Sequence, residues 1–206
     1  MKINKPKINI CEEKNLEDIS DNIYDNYHFT NNVKDSIKIS NTTFDSCIFE
    51  NIDFTNIELN NVDLLDVIFD GCDLSNKCFD YKMLSRVIFK NCKMIGTSFI
   101  ESSLKDIMFE NCLTRYLNFS NAKINTMFIK ESSLTESTFM ETTIKNIELD
   151  NVKLYRTEFM RTSLQKVDFS SCDIDGIIFD HYSLKGIVVD RFQCQNLVGM
   201  LGVEVK

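Results

Sequence analysis

Eight cysteines and two histidines are the residues of this 206-residue chain whose types most readily do chemistry. Cys72, Cys92 and Cys112 follow one another at intervals of 20 residues, and Cys172 falls on the same series. Stacked on successive layers about 5 Å apart, such thiols could oxidise in pairs or hold a soft metal ion. The competing reading, small buried packing residues in a reducing compartment, is favoured by what surrounds them. No Cys-x-x-Cys pair is present, and His28 and His181 lie far apart, so the ligand spacing of a zinc site is missing. Neither histidine accompanies a Ser or Cys nucleophile in a triad-like arrangement. The six glycines form no phosphate-cradling loop. No catalytic residue, metal, cofactor or small-molecule substrate is therefore expected. What remains is charge: 31 acidic residues against 23 basic, a net −8. That balance argues against direct nucleic-acid binding, which leaves a basic footprint, and favours a basic partner.

The elements that must carry those charges follow a five-residue beat. Stepping by five from Ile39 to Cys194 gives 32 centres, of which 31 are Phe, Leu, Ile, Met, Val or Cys and only Thr114 is polar. A helix would show a period near 3.6 and a strand a period of 2. Two residues before each centre stands a small or β-branched residue, such as Cys47, Ile52, Ile57 and Val62, suited to a narrow interior. Lys77 and Lys82 break that rule. The other three positions carry most of the Asp, Asn, Lys, Glu and Ser, as solvent-facing positions should. From Leu64 onward the centres mostly alternate Leu and Phe. A ten-residue alternation over a five-residue unit predicts a four-sided coil of 20 residues whose opposite sides share a residue type.

This pattern, from about Ile37 to Cys194, resembles that of pentapeptide-repeat proteins. The resemblance implies an all-β, right-handed quadrilateral β-helix. Eight coils at strand spacing would make a rod about 38 Å long. After Val189 the beat gives way to a segment in which Cys194, Leu197, Val198 and Leu201 share one face of a short C-terminal α-helix ended by Gly202. The expected division is an N-terminal segment or cap at 1–26, a β-helix at 27–189, and a helical, dimer-forming segment at 190–206.

That tail, with Asp190, Phe192, Gln193 and Leu201-Gly202-Val203, is similar to the tail of the Qnr and MfpA proteins, as is KMLSRVIFKNCKM at 82–94. Those proteins bind bacterial DNA gyrase and topoisomerase IV and counter fluoroquinolones. The resemblance implies a DNA-mimicking homodimer that binds a type II topoisomerase, with Phe192, Leu197, Met200, Leu201 and Val203 buried between subunits. Several Qnr proteins carry two loops that interrupt the repeats. Here the equivalent points, near Asn76-Lys77 and Asn125-Phe128, have no insertion, so the chain resembles the loop-less type.

Assigning residues to sides by the 20-residue period separates the charge. The column through Phe49, Phe69, Phe89 and Phe109 carries eight acids, including Glu50, Asp70, Glu110, Glu131, Glu148, Asp150 and Asp168, against three bases. The column through Phe79, Phe99 and Phe119 carries six, including Asp80, Glu101, Glu141 and Glu158, against three. The column through Phe44, Leu64 and Leu84 is basic, with seven Lys or Arg residues against four acids. The acidic columns are the expected gyrase-binding faces. On the most acidic one, Ile48, Ile68, Ile88, Met108 and Phe128 form an outward apolar stripe of the kind that marks an interface. The alternative is that the N-terminal segment lies over it, with Ile8, Ile10, Leu16 and Ile19 as contacts. A generic scaffold that binds another protein through this apolar, acidic face is the second functional reading. No apolar run is long enough to span a membrane and the N-terminus lacks a signal-peptide core, so a cytoplasmic location is expected.

Overall fold

The structure, a computed structural model, describes residues 3–9, 11–19, 22–30, 33–200 and 202–204. They form a parallel β-solenoid of about eight turns with a small helix at its C-terminal end. The N-terminal strands are β1 (Glu12–Glu13), β2 (Ile23–Asp25), β3 (Tyr27–Phe29), β4 (Ile37–Asp45) and β5 (Ile48–Glu50). Along the body run β6 (Ile57–Asp70), β7 (Met83–Lys90), β8 (Ser103–Glu110), β9 (Lys123–Lys130) and β10 (Thr143–Asp150). From β2 onward each strand pairs in parallel with the segment 20 residues away, as in Ile37↔Ile57, Val67↔Val87 and Leu149↔Ile129, whereas β1 pairs with β3 at a spacing of 15. On the remaining sides the same spacing continues as single bridges, such as Ser98↔Asn118 and Lys93↔Leu113. The register slips where Lys105 pairs with Thr126.

The corners explain why a five-residue unit turns the chain. Left-handed φ recurs at most fifth positions from Asn41 to Arg161, with Asn56, Thr126 and Asn146 the exceptions. Asparagine is the commonest of the 22 non-glycine residues found with positive φ, because its short amide tolerates a conformation that other L-residues adopt at a cost. At Gly71 (φ 68°) a Cβ would come within 2.4 Å of Asn51 Oδ1 in the coil above, so both conformation and space select glycine.

Inside, the centres stack on their mates. Phe29, Phe49, Phe69, Phe89 and Phe109 form one column with ring centroids 4.8–5.2 Å apart and nearly parallel planes. Phe79, Phe99, Phe119, Phe139 and Phe159 form a second at 4.7–5.4 Å. The columns belong to opposite sides and meet edge to face across the tube, as Phe99 and Phe109 do at 6.4 Å and 80°. Offset stacks and edge contacts are the arrangements aromatic quadrupoles favour.

The position two before each centre does more than fit. Thr97, Thr142 and Thr157 donate hydroxyl hydrogens to the carbonyls of Leu74, Phe119 and Leu134 at 2.7–2.8 Å. Cys72, Cys92 and Cys112 point their thiols at the carbonyls of Phe49, Phe69 and Phe89. Small donors thus satisfy carbonyls of the preceding coil that would otherwise be buried with fewer partners. Thr114, the lone polar centre, is fully buried and donates to Ser133 O at 2.7 Å. Lys77 escapes the tube by carrying its ammonium to Ile57 O at 2.9 Å.

Both ends are closed. Leu16, in a single 3-10 turn (Leu16–Asp18), is 1% exposed at the head of the core. At the other end the expected step to Cys194 as a centre fails. Gln193 goes inward instead, and its amide donates to Phe169 O and Cys172 O at 2.8 Å. Cys194 is exposed. The last coil has no successor to donate to its carbonyls, so an amide serves there better than a thiol. Leu197, on helix α1 (Gln193–Met200), packs within the same core at 8% exposure. None of the described helices is long and apolar enough to cross a membrane.

Phe119 touches rings above and below and is fully buried. Phe119→Ala is expected to cost about 3–5 kcal/mol, read as a lowered midpoint in urea unfolding followed by circular dichroism. A loss below about 1 kcal/mol would contradict the stacked core.

Candidate interaction surface

The acidic columns lie ten residues, half a turn, apart and therefore on opposite sides of the rod, with the basic column between them on one flank. Many of their acids are engaged. His28 Nε2 lies 2.9 Å from Glu50 Oε2, and Lys90 Nζ lies 3.5 Å from Asp70. Asp80 accepts from Ser98 Oγ at 2.5 Å and Ile100 N at 2.8 Å. Arg161 holds Glu141 at 2.6 Å, and Lys130 lies 3.6 Å from Glu131. Glu101 is an exposed corner residue whose charge raises the neighbouring Tyr81 hydroxyl above its ordinary value. Asp168 is exposed, and hydrogen bonding from Ser170 holds its carboxyl below the usual range. Glu110, Glu148 and Glu158 are half-buried and Asp150 is exposed. The more acidic face is therefore most negative in its C-terminal half, where Glu110, Glu131, Glu148, Asp150 and Asp168 stand against Lys130.

The apolar stripe is a continuous ladder, Ile48↔Ile68↔Ile88↔Met108↔Phe128, bracketed by His28 and Glu148. All five side chains are half-buried rather than openly exposed. Their mates in the coils above and below cover two sides of each. Residues 3–9 do not lie centrally on the stripe. They run along the edge beside it, where Asn4 meets Asp106 and Lys7 meets Asp66. Of the contacts expected for this segment, Ile8 is half-buried, Leu16 enters the head of the core, Ile19 packs against that core, and Ile10 lies outside the described residues.

That edge is the feature periodicity missed. Asp66 and Asp106, each 4% exposed, occupy corner positions two turns apart. Arg86 lies between them, with Nε and Nη2 each 2.5 Å from an Asp66 oxygen. Burial alone would raise the Asp66 carboxyl. The Arg86 guanidinium and the Lys7 N–H outweigh it and hold the group below the usual carboxylate range. A second unanticipated feature is a cationic, aromatic edge. Arg115 stacks on Tyr116, and two coils further on Tyr155 adjoins Arg156 at the same corner. Tyr116 and Arg156 keep positive φ, where asparagine would be less strained, and both tyrosines are about half exposed (46% and 45%).

Burial works against ionisation of the first and last of the buried thiols. Burial pushes Cys47 up to about 12 and raises Cys172 as well. No group of three His, Cys, Asp or Glu among the described residues is arranged to hold a metal ion.

Of the residues expected at a subunit interface, Phe192 is 68% and Val203 53% exposed, whereas Leu197 is buried in its own chain. The side chain of Met200, and Leu201 altogether, lie outside the described residues. Asp190 accepts from the N–H groups of Phe192 and Gln193, and Gln193 Oε1 accepts from Asp190 N, a reciprocal cap that fixes how the tail leaves the rod.

Residues 62–139 match a family model described as a pentapeptide repeat region, and residues 38–76 match one described as pentapeptide repeats (8 copies). No curated protein matches the chain. Among solved structures it is similar to a trypsin-treated form of QnrB1, a plasmid-mediated fluoroquinolone resistance protein, at 20% identity and TM-score 0.46, covering 85% of this chain and 95% of that one. Full-length QnrB1 gives 17% identity and TM-score 0.44, covering 93% and 95%. HetL, a pentapeptide-repeat protein involved in heterocyst differentiation regulation in the cyanobacterium Nostoc, gives 12% and 0.31, covering 81% and 89%. These likenesses concern the fold. The chain is a parallel β-solenoid, of which residues 38–139 match pentapeptide-repeat models.

Asp66→Asn leaves Arg86 without its carboxylate and is expected to cost about 2 kcal/mol at neutral pH. Because the folded Asp66 value is lowered, its contribution is present above the unfolded value of about 3.9 and is lost as pH falls through the folded one. The difference in stability between wild type and variant should therefore shrink below about pH 4. A pH-independent difference in urea titrations would contradict the ion-pair account.

Proposed function

We propose that this chain is a non-catalytic rod that occupies the basic DNA-binding groove of a bacterial type II topoisomerase, DNA gyrase or topoisomerase IV, and modulates its response to fluoroquinolones. The observation that carries the reading is the acidic column on the Phe49–Phe169 side, whose carboxylates repeat along the axis at multiples of the strand spacing. DNA presents one charge per about 1.7 Å of axis, and a rigid line of carboxylates would be steered to the same positive groove. The net charge of −8 and the resemblance of 82–94 and 190–203 to Qnr and MfpA segments add support. Two copies joined through their C-terminal ends would lengthen the acidic line, and the open faces of Phe192 and Val203 suit that role.

Purified chain is expected to inhibit gyrase supercoiling at micromolar concentration and to alter ciprofloxacin-stabilised cleavage. Charge reversal in the C-terminal half of the acidic face, Glu110→Lys with Asp150→Lys, should weaken inhibition at least about tenfold, since replacing attraction by repulsion at an interface slows association and hastens release. No effect of the wild-type chain on either reaction would sink the topoisomerase reading. For the dimer, Phe192→Asp should sediment as a monomer where wild type sediments as a dimer. Unchanged mass would remove the C-terminal interface.

A second reading has its own observation. The Arg115, Tyr116, Tyr155 and Arg156 edge has the composition of an interface hot spot and the wrong sign for a basic groove. If this edge carries partner binding, Tyr116→Ala with Tyr155→Ala will abolish it and the acidic-face reversals will not.

A further inference from the structure

Residues 3–9 form an extended strap laid along the rod axis, and the receiving edge is built to hold it. Asn4 donates its backbone N–H and its side-chain amide to Asp106 at 3.3 and 3.0 Å. Lys7 donates its backbone N–H to Asp66 at 2.9 Å. The carboxylates stand two turns apart, about 10 Å, and three residues of extended chain from 4 to 7 cover the same distance. The match is one of axial spacing: a backbone N–H of an extended chain meets each acid, and the Asn4 amide adds a second bond at Asp106. The strap continues to Cys11, whose thiol points at Ser46 O one turn further along the edge, and then into β1, which pairs with β3.

None of the described side chains in the strap is fully buried, and residues 3–9 add no strand to the sheet. The rod is therefore complete without it, and only a few hydrogen bonds hold it down. What the strap withholds is considerable. It covers two carboxylates and brings the exposed Lys5 and Lys7 beside Arg86, Lys105 and Asp106, at the edge next to the Ile48–Phe128 side. We propose that this edge is a latent part of the partner surface, held closed in cis by residues 3–9 and opened when an extended segment of the partner displaces them. This extends the topoisomerase reading above and rests on it. The strap mimics the partner: it offers extended backbone N–H groups where the partner would offer the same.

The test uses full-length chains. Asn4→Asp sets a carboxylate against Asp106 and opens the strap. Asn9→Asp adds the same charge away from both anchors and serves as the control. Amide exchange by mass spectrometry should show the amides of residues 4 and 7 protected in wild type and in Asn9→Asp, and at least about tenfold faster in Asn4→Asp. In gyrase supercoiling, Asn4→Asp should reach half-inhibition at a several-fold lower concentration than Asn9→Asp. Unprotected amides in wild type, or unchanged exchange in Asn4→Asp, overturn the strap. An opened strap with inhibition equal to that of Asn9→Asp overturns its gating role. If exchange shows the strap open but neither variant nor wild type inhibits gyrase, the topoisomerase reading fails, and the gating of that partner fails with it.

Discussion

Every structural choice in this chain follows from one constraint: residue n lies directly beside residue n+20, one strand spacing along the axis. Inside the tube this stacks like on like, and flat rings stack well, which is why two phenylalanine columns run most of the length. Outside, it would stack like charges, which repel at such distances. The surface resolves this with pairs one turn apart: Lys38 with Glu58, Asp66 with Arg86, Asp70 with Lys90, Asp73 with Lys93 and Glu141 with Arg161. Asparagines ladder in the same way, Asn61 onto Asn41 and Asn111 onto Asn91. Apart from the buried Asp66–Arg86 pair, these contacts are solvent-exposed and individually weak. Their effect is to decide which acids stay available to a partner.

The same constraint settles what the chain can do. An interior that admits only stacked apolar side chains and small donors leaves no cavity for a substrate among the packed centres. Residue types vary at the corners and outward positions, which is where a partner would meet the rod. The corners are the costlier of the two, because each needs positive φ. Tyr81, Tyr116, Arg86 and Arg156 therefore stand out where asparagine or glycine would be cheaper. Arg86 has an evident use, holding Asp66. The tyrosines face solvent, which is why a partner surface other than the acidic one merits its own reading.

Much of the fold was legible in the five-residue beat, because a period that never slips from Ile39 to Val189 leaves few alternatives, and the Leu/Phe alternation correctly separates sides. Details that depend on one hydrogen bond were not legible. Cys194 continued the beat on paper, yet Gln193 turns inward because the final coil lacks a donor. The stripe from Ile48 to Phe128 looked open because periodicity assigns direction and says nothing of cover from stacked neighbours. The strap was invisible because Asp66 and Asp106 look like any other corner acids until Asn4 and Lys7 are seen beside them. Leu197, expected between subunits, is buried against its own rod.

The central claim is that a rod with a net charge of −8 takes the place of DNA on a basic protein surface. Competition binding tests it most directly: a fluorescent DNA duplex bound to gyrase, titrated with this chain at several potassium chloride concentrations. The account predicts that the chain displaces the duplex and that its own affinity falls steeply as salt rises, as for any interface made chiefly of charge. A stable complex holding duplex and chain together, or an affinity indifferent to salt, would contradict it.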